Sequence, residues 1–114
     1  MITLISFSYR REPPASASVV VDCRGFKNPY SIPALRAMTG RQKAVQDYCS
    51  TDREFMAQLN QLITLAPKHG TIACGCLGGK HRSVSVIEML GQALRAKGTE
   101  TLILHTELNA PAHL

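Results

Sequence analysis

No stretch of these 114 residues is apolar for long enough to cross a bilayer as a helix. The opening residues Met1-Ile2-Thr3-Leu4-Ile5-Ser6-Phe7 lack a basic leader and a small-residue cleavage site, so they read as a first strand rather than a signal peptide. A cytoplasmic location is expected. Internal repeats, low-complexity tracts and linkers are absent, and 114 residues suffice for one core but not two. A single domain over residues 1–114 is therefore expected. Aromatic residues are scarce at 5%, yet the 45% hydrophobic content is ordinary for a globular fold. Cysteine is limited to Cys23, Cys49, Cys74 and Cys76, and without a secretion signal these do not suggest a disulfide framework. Cys74 and Cys76 with His81 nearby invite a zinc site, but their spacing is not that of the common ligand knuckles, so no metal is expected. Acidic residues number 8 against 13 Lys and Arg, for a net charge of +5. None falls between Cys23 and Gln46, where Arg24, Lys27, Arg36, Arg41 and Lys43 lie. That span is either a solvated surface or an electropositive rim that steers an anionic metabolite or polyanion.

What the chain does have is Gly75-Cys76-Leu77-Gly78-Gly79-Lys80-His81-Arg82-Ser83. Ahead of it, Thr71-Ile72-Ala73-Cys74 is short and apolar enough for a buried strand. Behind it, Val84, Ile87, Leu90 and Leu94 recur at helical spacing, and Gly98 closes the helix as a left-handed cap. The order strand, glycine pair, helix N-terminus brings several N–H groups and the positive end of a helix dipole to one place. Lys80, His81, Arg82 and Ser83 add side-chain donors there. Each feature alone has an ordinary explanation: a tight connection for the glycines, a buried structural thiol for Cys76, a hydrogen-bonded core histidine for His81. Their coincidence within nine residues points to an oxyanion site, most simply for phosphate.

The rest of the chain reads as alternating strands and helices. The first strand is Ile2 to Tyr9, ended by Pro13-Pro14. The second is the β-branched run Ala17 to Asp22, expected to be buried on both faces. Asp22 and Arg24 then emerge at its carboxyl edge, where ligands bind in open α/β sheets. An irregular stretch follows from Gly25 to Pro33, with Pro33 opening a short helix through Leu35 and Met38. Thr51 and Glu54 fit a capping box ahead of the stripe Phe55, Met56, Leu59, Leu62 and Ile63, and Pro67 and Gly70 mark the end of that helix. Thr101 to His105 is a fourth strand, and Glu107 to Leu114 is expected to be loose. The fold class is α/β: a small single-domain sandwich with a four-stranded, mainly parallel sheet and a glycine-rich phosphate loop at a strand-to-helix junction. The connection Arg10 to Ser16 is short for a crossover helix, so an antiparallel second strand stays open.

Cys76, five residues, then Arg82 and Ser83 is also the cysteine-phosphatase pattern. In that reading a thiolate, lowered in pKa by the helix N-terminus and the arginine, attacks phosphorus, and Asp22 or Asp47 protonates the leaving group. Gly75 stands where most such phosphatases carry histidine.

A longer set of motifs agrees in order with one family. Asp22, Asn28-Pro29-Tyr30, Pro33-Ala34-Leu35-Arg36, Met38-Thr39-Gly40 and Gly75 through Val84 together resemble the C-terminal domain of the RapZ family, RNase adapter proteins formerly described as nucleotide-binding. The resemblance runs from about Val19 to His105. It implies an α/β domain that binds a phosphorylated small molecule, with the hexosamine-phosphate branch of metabolism as the suggested source, and structured small RNA as a macromolecular partner. Three departures accompany it. The usual N-terminal kinase-like domain with its Walker-type loop is not in this chain, the basic C-terminal extension is replaced by Asn109-Ala110-Pro111-Ala112-His113-Leu114, and Leu77 stands where the family usually has threonine. The expected function is thus a stand-alone regulatory binding domain, with Gly78, Gly79, Lys80, His81, Arg82 and Ser83 gripping the phosphate. Asp22, Arg24 and Asn28 are expected across the mouth, and Lys27, Arg36, Arg41 and Lys43 as RNA contacts. No cofactor is expected beyond the phosphorylated ligand. The resemblance leaves room for a homo-oligomer or a separate kinase-like partner. The alternative is a cysteine-dependent phosphatase using Cys76 and Asp22.

Overall fold

The computed structural model describes residues 1–108, so the Asn109–Leu114 part of the expected loose tail lies outside the described residues. Strands β1 (Ile2–Ser8), β2 (Val19–Asp22), β3 (Thr71–Cys76) and β4 (Thr101–His105) form one sheet in the order β2-β3-β1-β4. Every pairing is parallel, with Leu4 opposite Ile72 and Ile103, and Val21 opposite Cys74. The open question over β2 thus resolves to parallel. Helices α1 (Pro33–Arg36) and α2 (Lys43–Ser50) lie between β2 and β3 with α3 (Arg53–Leu65), and α4 (Arg82–Ala96) joins β3 to β4. No helix among the described residues is long and apolar enough to cross a membrane.

The main core lies between one face of the sheet and helices α2 to α4. Ile2 and Leu4 of β1, Val21 of β2 and Ile72 and Cys74 of β3 meet Val45, Phe55, Leu59, Leu62, Ile87, Leu90 and Leu94 there. Alternation along a strand sends Ile5, Phe7 and Ala73 to the opposite face, where Tyr9 and Ala17 from the β1–β2 connection cover them. Thus the first crossover reaches a parallel strand without a helix because it skips over β3 along the helix-free face.

The reading of β2 as buried on both faces is wrong. It is an edge strand, and Val20, on the face away from the helices, is 44% exposed. The capping of α3 also differs from expectation. Asp52 is the N-cap, accepting from the N–H of Glu54 at 2.9 Å, while Thr51 Oγ1 turns back to the carbonyl of Tyr48. A carboxylate one residue nearer the helix takes the N–H that Thr51 would have taken, and it suits the helix dipole better. At the other end of the chain Gly98 has φ +85°, as a left-handed helix stop requires. Glu107 is tied down by an ion pair to Arg11 at 3.1 Å, so the tail is anchored at its start rather than loose from Glu107 onward.

The strand order has one consequence for function. From the central pair, β1 departs toward β2 while β3 departs through α4 toward β4. Connections leaving in opposite directions open a crevice outside the carboxyl ends of these two strands, where open α/β sheets take their ligands.

Candidate functional site

A cavity of about 450 Å3 occupies that crevice. Its floor is Cys76, Leu77, Gly78, Lys80, His81 and Arg82, which run from the last residue of β3 to the first residue of α4. Arg10, just past β1, closes one side; Asn28, Tyr30 and Arg36 close the other.

The loop is held from below. Ser8 Oγ donates to the carbonyl of Leu77 at 2.5 Å, fastening the end of β1 to the loop. Gly79 has φ +70°, and a Cβ on it would come within 3.0 Å of the Ser8 backbone nitrogen, so only glycine lets the loop lie this close to β1. From the other side, the Gly40 N–H donates to the carbonyl of Lys80 at 2.8 Å, and Gln46 Nε2 donates to the carbonyl of Gly40 at 2.7 Å. The turn through Thr39 and Gly40 is thereby seated on the first turn of α4. With its carbonyls so used, the loop leaves its donors open. Among the described residues, the backbone N–H groups of residues 77–84 find no acceptor, and His81, the N-cap of α4, makes no side-chain cap bond. Unused donors at a helix N-terminus form an anion cradle.

Arg82 is buried at the base of the cavity. Its Nη1 donates to the carbonyls of Arg24 at 2.6 Å and Phe26 at 3.2 Å, and its Nε has no partner among the described residues. The side chain therefore clamps the loop after β2 while placing its charge beneath the cavity. His81 packs under the opposite wall: Nε2 lies 3.2 Å from the carbonyl of Arg36, and the ring meets Tyr30 edge-on at 6.4 Å. Burial, ahead of all other influences, lowers its pKa and favours the neutral ring. Arg36 donates from Nε to the carbonyl of Tyr30 and lies over the Tyr30 ring at 4.8 Å. Asn28 Oδ1 accepts from the Tyr30 N–H, which explains why Asn28-Pro29-Tyr30 is a rigid short turn.

The expected residues divide between this cavity and other places. Gly78, Lys80, His81, Arg82 and Asn28 line it, with Arg36 from the basic segment. Gly79 turns inward to β1, and Ser83 is wholly buried, its Oγ 3.1 Å from Cys76 Sγ. Asp22 and Arg24 form an exposed ion pair at 2.8 Å, and neither lines the cavity. Hydrogen bonds from Arg24 hold the Asp22 carboxyl below the usual carboxylate range. The other basic-segment residues are dispersed: Lys27 Nζ bonds Thr51 Oγ1, Lys43 pairs with Asp47 at 2.8 Å, and Arg41 lines a different cleft. Gly75 is explained by packing, since a Cβ there would stand 2.5 Å from the Phe7 ring and 2.7 Å from that of Tyr9. Sequence reasoning missed Arg10 and Tyr30 as cavity residues. The signal for Arg10 was its place just beyond a strand's carboxyl end, but only the sheet order shows that this strand neighbours β3.

All four cysteines are free and buried. Cys23 is held well above the ordinary thiol range by hydrogen bonding to Cys74 and by burial, and burial lifts Cys49 to about 11. Raised in this way, the Cys23 and Cys49 thiols belong to the core.

The family model of the RapZ C-terminal domain matches residues 1–109. A nucleotide-binding protein of Ruegeria sp. is 40% identical over 118 residues, covering 94% of this chain and 39% of that protein. Two further proteins that also carry the name nucleotide-binding protein align similarly. The one from Streptomyces griseus is 39% identical, covering 93% of this chain and 35% of its own length. The one from Parafrankia sp. is 40% identical, with 93% and 40% covered. The chain thus spans well under half the length of these relatives.

Proposed function

The chain belongs to the RapZ C-terminal domain family, and on that premise we propose that it is a regulatory binding domain for a small phosphorylated metabolite of the sugar-phosphate or nucleotide class. The observation that carries this reading is the cavity's imbalance of charge and donors. Arg10, Arg36, Lys80 and Arg82 line it, no carboxylate does among the described residues, and the N–H groups of residues 77–84 are unclaimed. A phosphate dianion satisfies both, because charge-assisted bonds from fixed donors are the strong ones. The relatives' name, nucleotide-binding protein, agrees with a phosphorylated ligand. What those longer proteins do as a whole comes to this chain only as part of the proposal.

One contact favours the enzymatic alternative: Ser83 Oγ lies 3.1 Å from Cys76 Sγ, where a hydroxyl would stabilise a thiolate. Hydrolysis also needs a proton for the leaving group, and here the site is poorly equipped. Asp22 is engaged with Arg24 and Asp47 with Lys43, and neither lines the cavity. Binding without turnover is therefore the reading adopted. As for RNA, the exposed cations Lys27, Arg36, Arg41 and Lys43 supply the proposed contacts for an adapter role, and their dispersal makes that contact weak and electrostatic.

Calorimetry with a panel of sugar phosphates and nucleoside monophosphates tests the binding reading. Saturable one-to-one binding that competes with inorganic phosphate is expected. Cys76→Ser is expected to bind as well as the parent, with no aryl phosphate hydrolysis in either protein. Hydrolysis that tracks protein concentration and vanishes in Cys76→Ser would establish the enzyme instead.

A further inference from the structure

Away from the loop, where α4 packs beside β4, a second polar cluster takes no part in the site above. His105 is buried with both ring nitrogens engaged: Nδ1 lies 2.6 Å from Ser6 Oγ, and Nε2 lies 2.7 Å from Glu88 Oε2. An ionised carboxylate only accepts, so Nε2 carries the hydrogen shared with Glu88, while Nδ1 faces the Ser6 hydroxyl. Ser6 is wholly buried, so this Ser-His-Glu chain offers no reachable nucleophile. Its effect is to lock the ring and to commit one oxygen of Glu88.

The other oxygen of Glu88 makes no hydrogen bond among the described residues, and the side chain keeps 23% exposure. It belongs to a cleft of about 360 Å3 lined also by Arg41, Arg95, Ile103 and His105. Arg95 donates from Nε to Thr101 Oγ1 at 2.7 Å, which fixes the stem and leaves the rest of the guanidinium without a hydrogen bond among the described residues. Neither arginine forms an ion pair among the described residues, although both share the cleft with Glu88. Two unneutralised guanidiniums disfavour a cation there. They favour an oxyanion, which each can grip with paired N–H donors. Glu88 repels a bare anion and rewards one that brings its own donor.

We propose that this cleft is a second ligand site, for a small hydroxylated anion. Arg41 and Arg95 hold its phosphate or carboxylate, and the free oxygen of Glu88 accepts its neighbouring hydroxyl. The site stands apart from the loop and does not depend on what the loop binds.

The test is a backbone-amide NMR titration of the full chain with glycerol 3-phosphate, glycerate and sulfate, an oxyanion with no donor of its own. Saturable shifts at Glu88, Arg95, Ile103 and His105 are expected with at least one hydroxylated anion, and which one responds identifies phosphate or carboxylate as the anionic group. Sulfate is expected to bind there more weakly. In Arg41→Gln/Arg95→Gln, affinity at these amides should fall about tenfold or more, since each lost charge-assisted bond removes a factor of that order. Responses at Gly78 to Arg82 should be retained. In Glu88→Gln, sulfate should bind the cleft more tightly, and the advantage of the hydroxylated anion should disappear. Absence of saturable shifts in the parent, or unchanged affinity in the double arginine variant, would overturn the proposal. A hydroxyl preference that survives Glu88→Gln would overturn the role given to Glu88. Should Glu88→Gln fail to fold, the double arginine variant still decides.

Discussion

Replacing Arg82 with alanine should damage stability and ligand binding together, because this side chain serves both. It is 6% exposed and donates to two carbonyls, those of Arg24 and Phe26. Hydrogen bonds from a charged donor contribute about 1.5–3 kcal/mol each. The residues around these carbonyls are largely exposed, so water can partly replace the lost donor. Taking the lower figure for both bonds gives a loss of roughly 3 kcal/mol for the unliganded domain. In a domain near this size each kcal/mol moves the midpoint about 4–8 °C, so a fall on the order of 12–24 °C is expected. Melting should stay cooperative, since the helix-side core contains no part of Arg82. Affinity for a phosphate ester, measured by calorimetry below the new midpoint, should drop by about tenfold or more. Arg82→Lys separates the two roles: it keeps the charge beneath the cavity but cannot span both carbonyls with one planar group. It should recover part of the affinity and little of the stability. Unchanged melting of Arg82→Ala would refute the clamp, and unchanged affinity would refute the place of Arg82 under the ligand.

Other outcomes follow from the same geometry. Gly75→Ala forces a methyl against the Phe7 and Tyr9 rings and should cost about 1–3 kcal/mol, read as a midpoint lowered on the order of 10 °C. Burial holds His81 below its ordinary 6.5, so the unfolded chain takes up that proton first as the pH falls. Stability of the unliganded protein should therefore decline as pH drops below that value, and His81→Gln should flatten the decline in denaturant titrations. RNA should bind weakly, with affinity falling steeply with salt in gel-shift titrations; a flat response, or no shift at low salt, would remove RNA from the account.

The parts of this protein that could be read from the chain are those fixed by neighbours in sequence. Thr71 to Cys74 before two glycines, and Val84 to Leu94 at helical spacing after them, mark the strand and the helix where they are found, because each element's signal is local. The strand ran two residues further than expected, since Gly75 and Cys76 continue the pairing with Phe7 and Ser8. Helix α2 gave little warning: it buries Val45 and Cys49, but the third inward position is Gln46, whose amide is used by the carbonyl of Gly40. What could not be read was which strands neighbour which. An edge position for β2 exposes Val20, and adjacency of β1 to β3 brings Arg10 to the site. Asp22 and Arg24 were placed across the mouth by the carboxyl-edge rule, which names an edge of the sheet but not a face. Strand alternation puts Asp22 on the same side as Val20, away from the helices, and Arg24 follows it to lie over Tyr9 at 4.0 Å.

The central claim is that a phosphate sits on the open donors at the start of α4. A crystal structure of the protein grown with a saturating sugar phosphate measures this directly. The phosphate is expected within hydrogen-bond distance of N–H groups in the span 77–84, above Arg82 and facing Lys80, Arg36 and Arg10. A sugar phosphate bound elsewhere, with those N–H groups left to water, would contradict it.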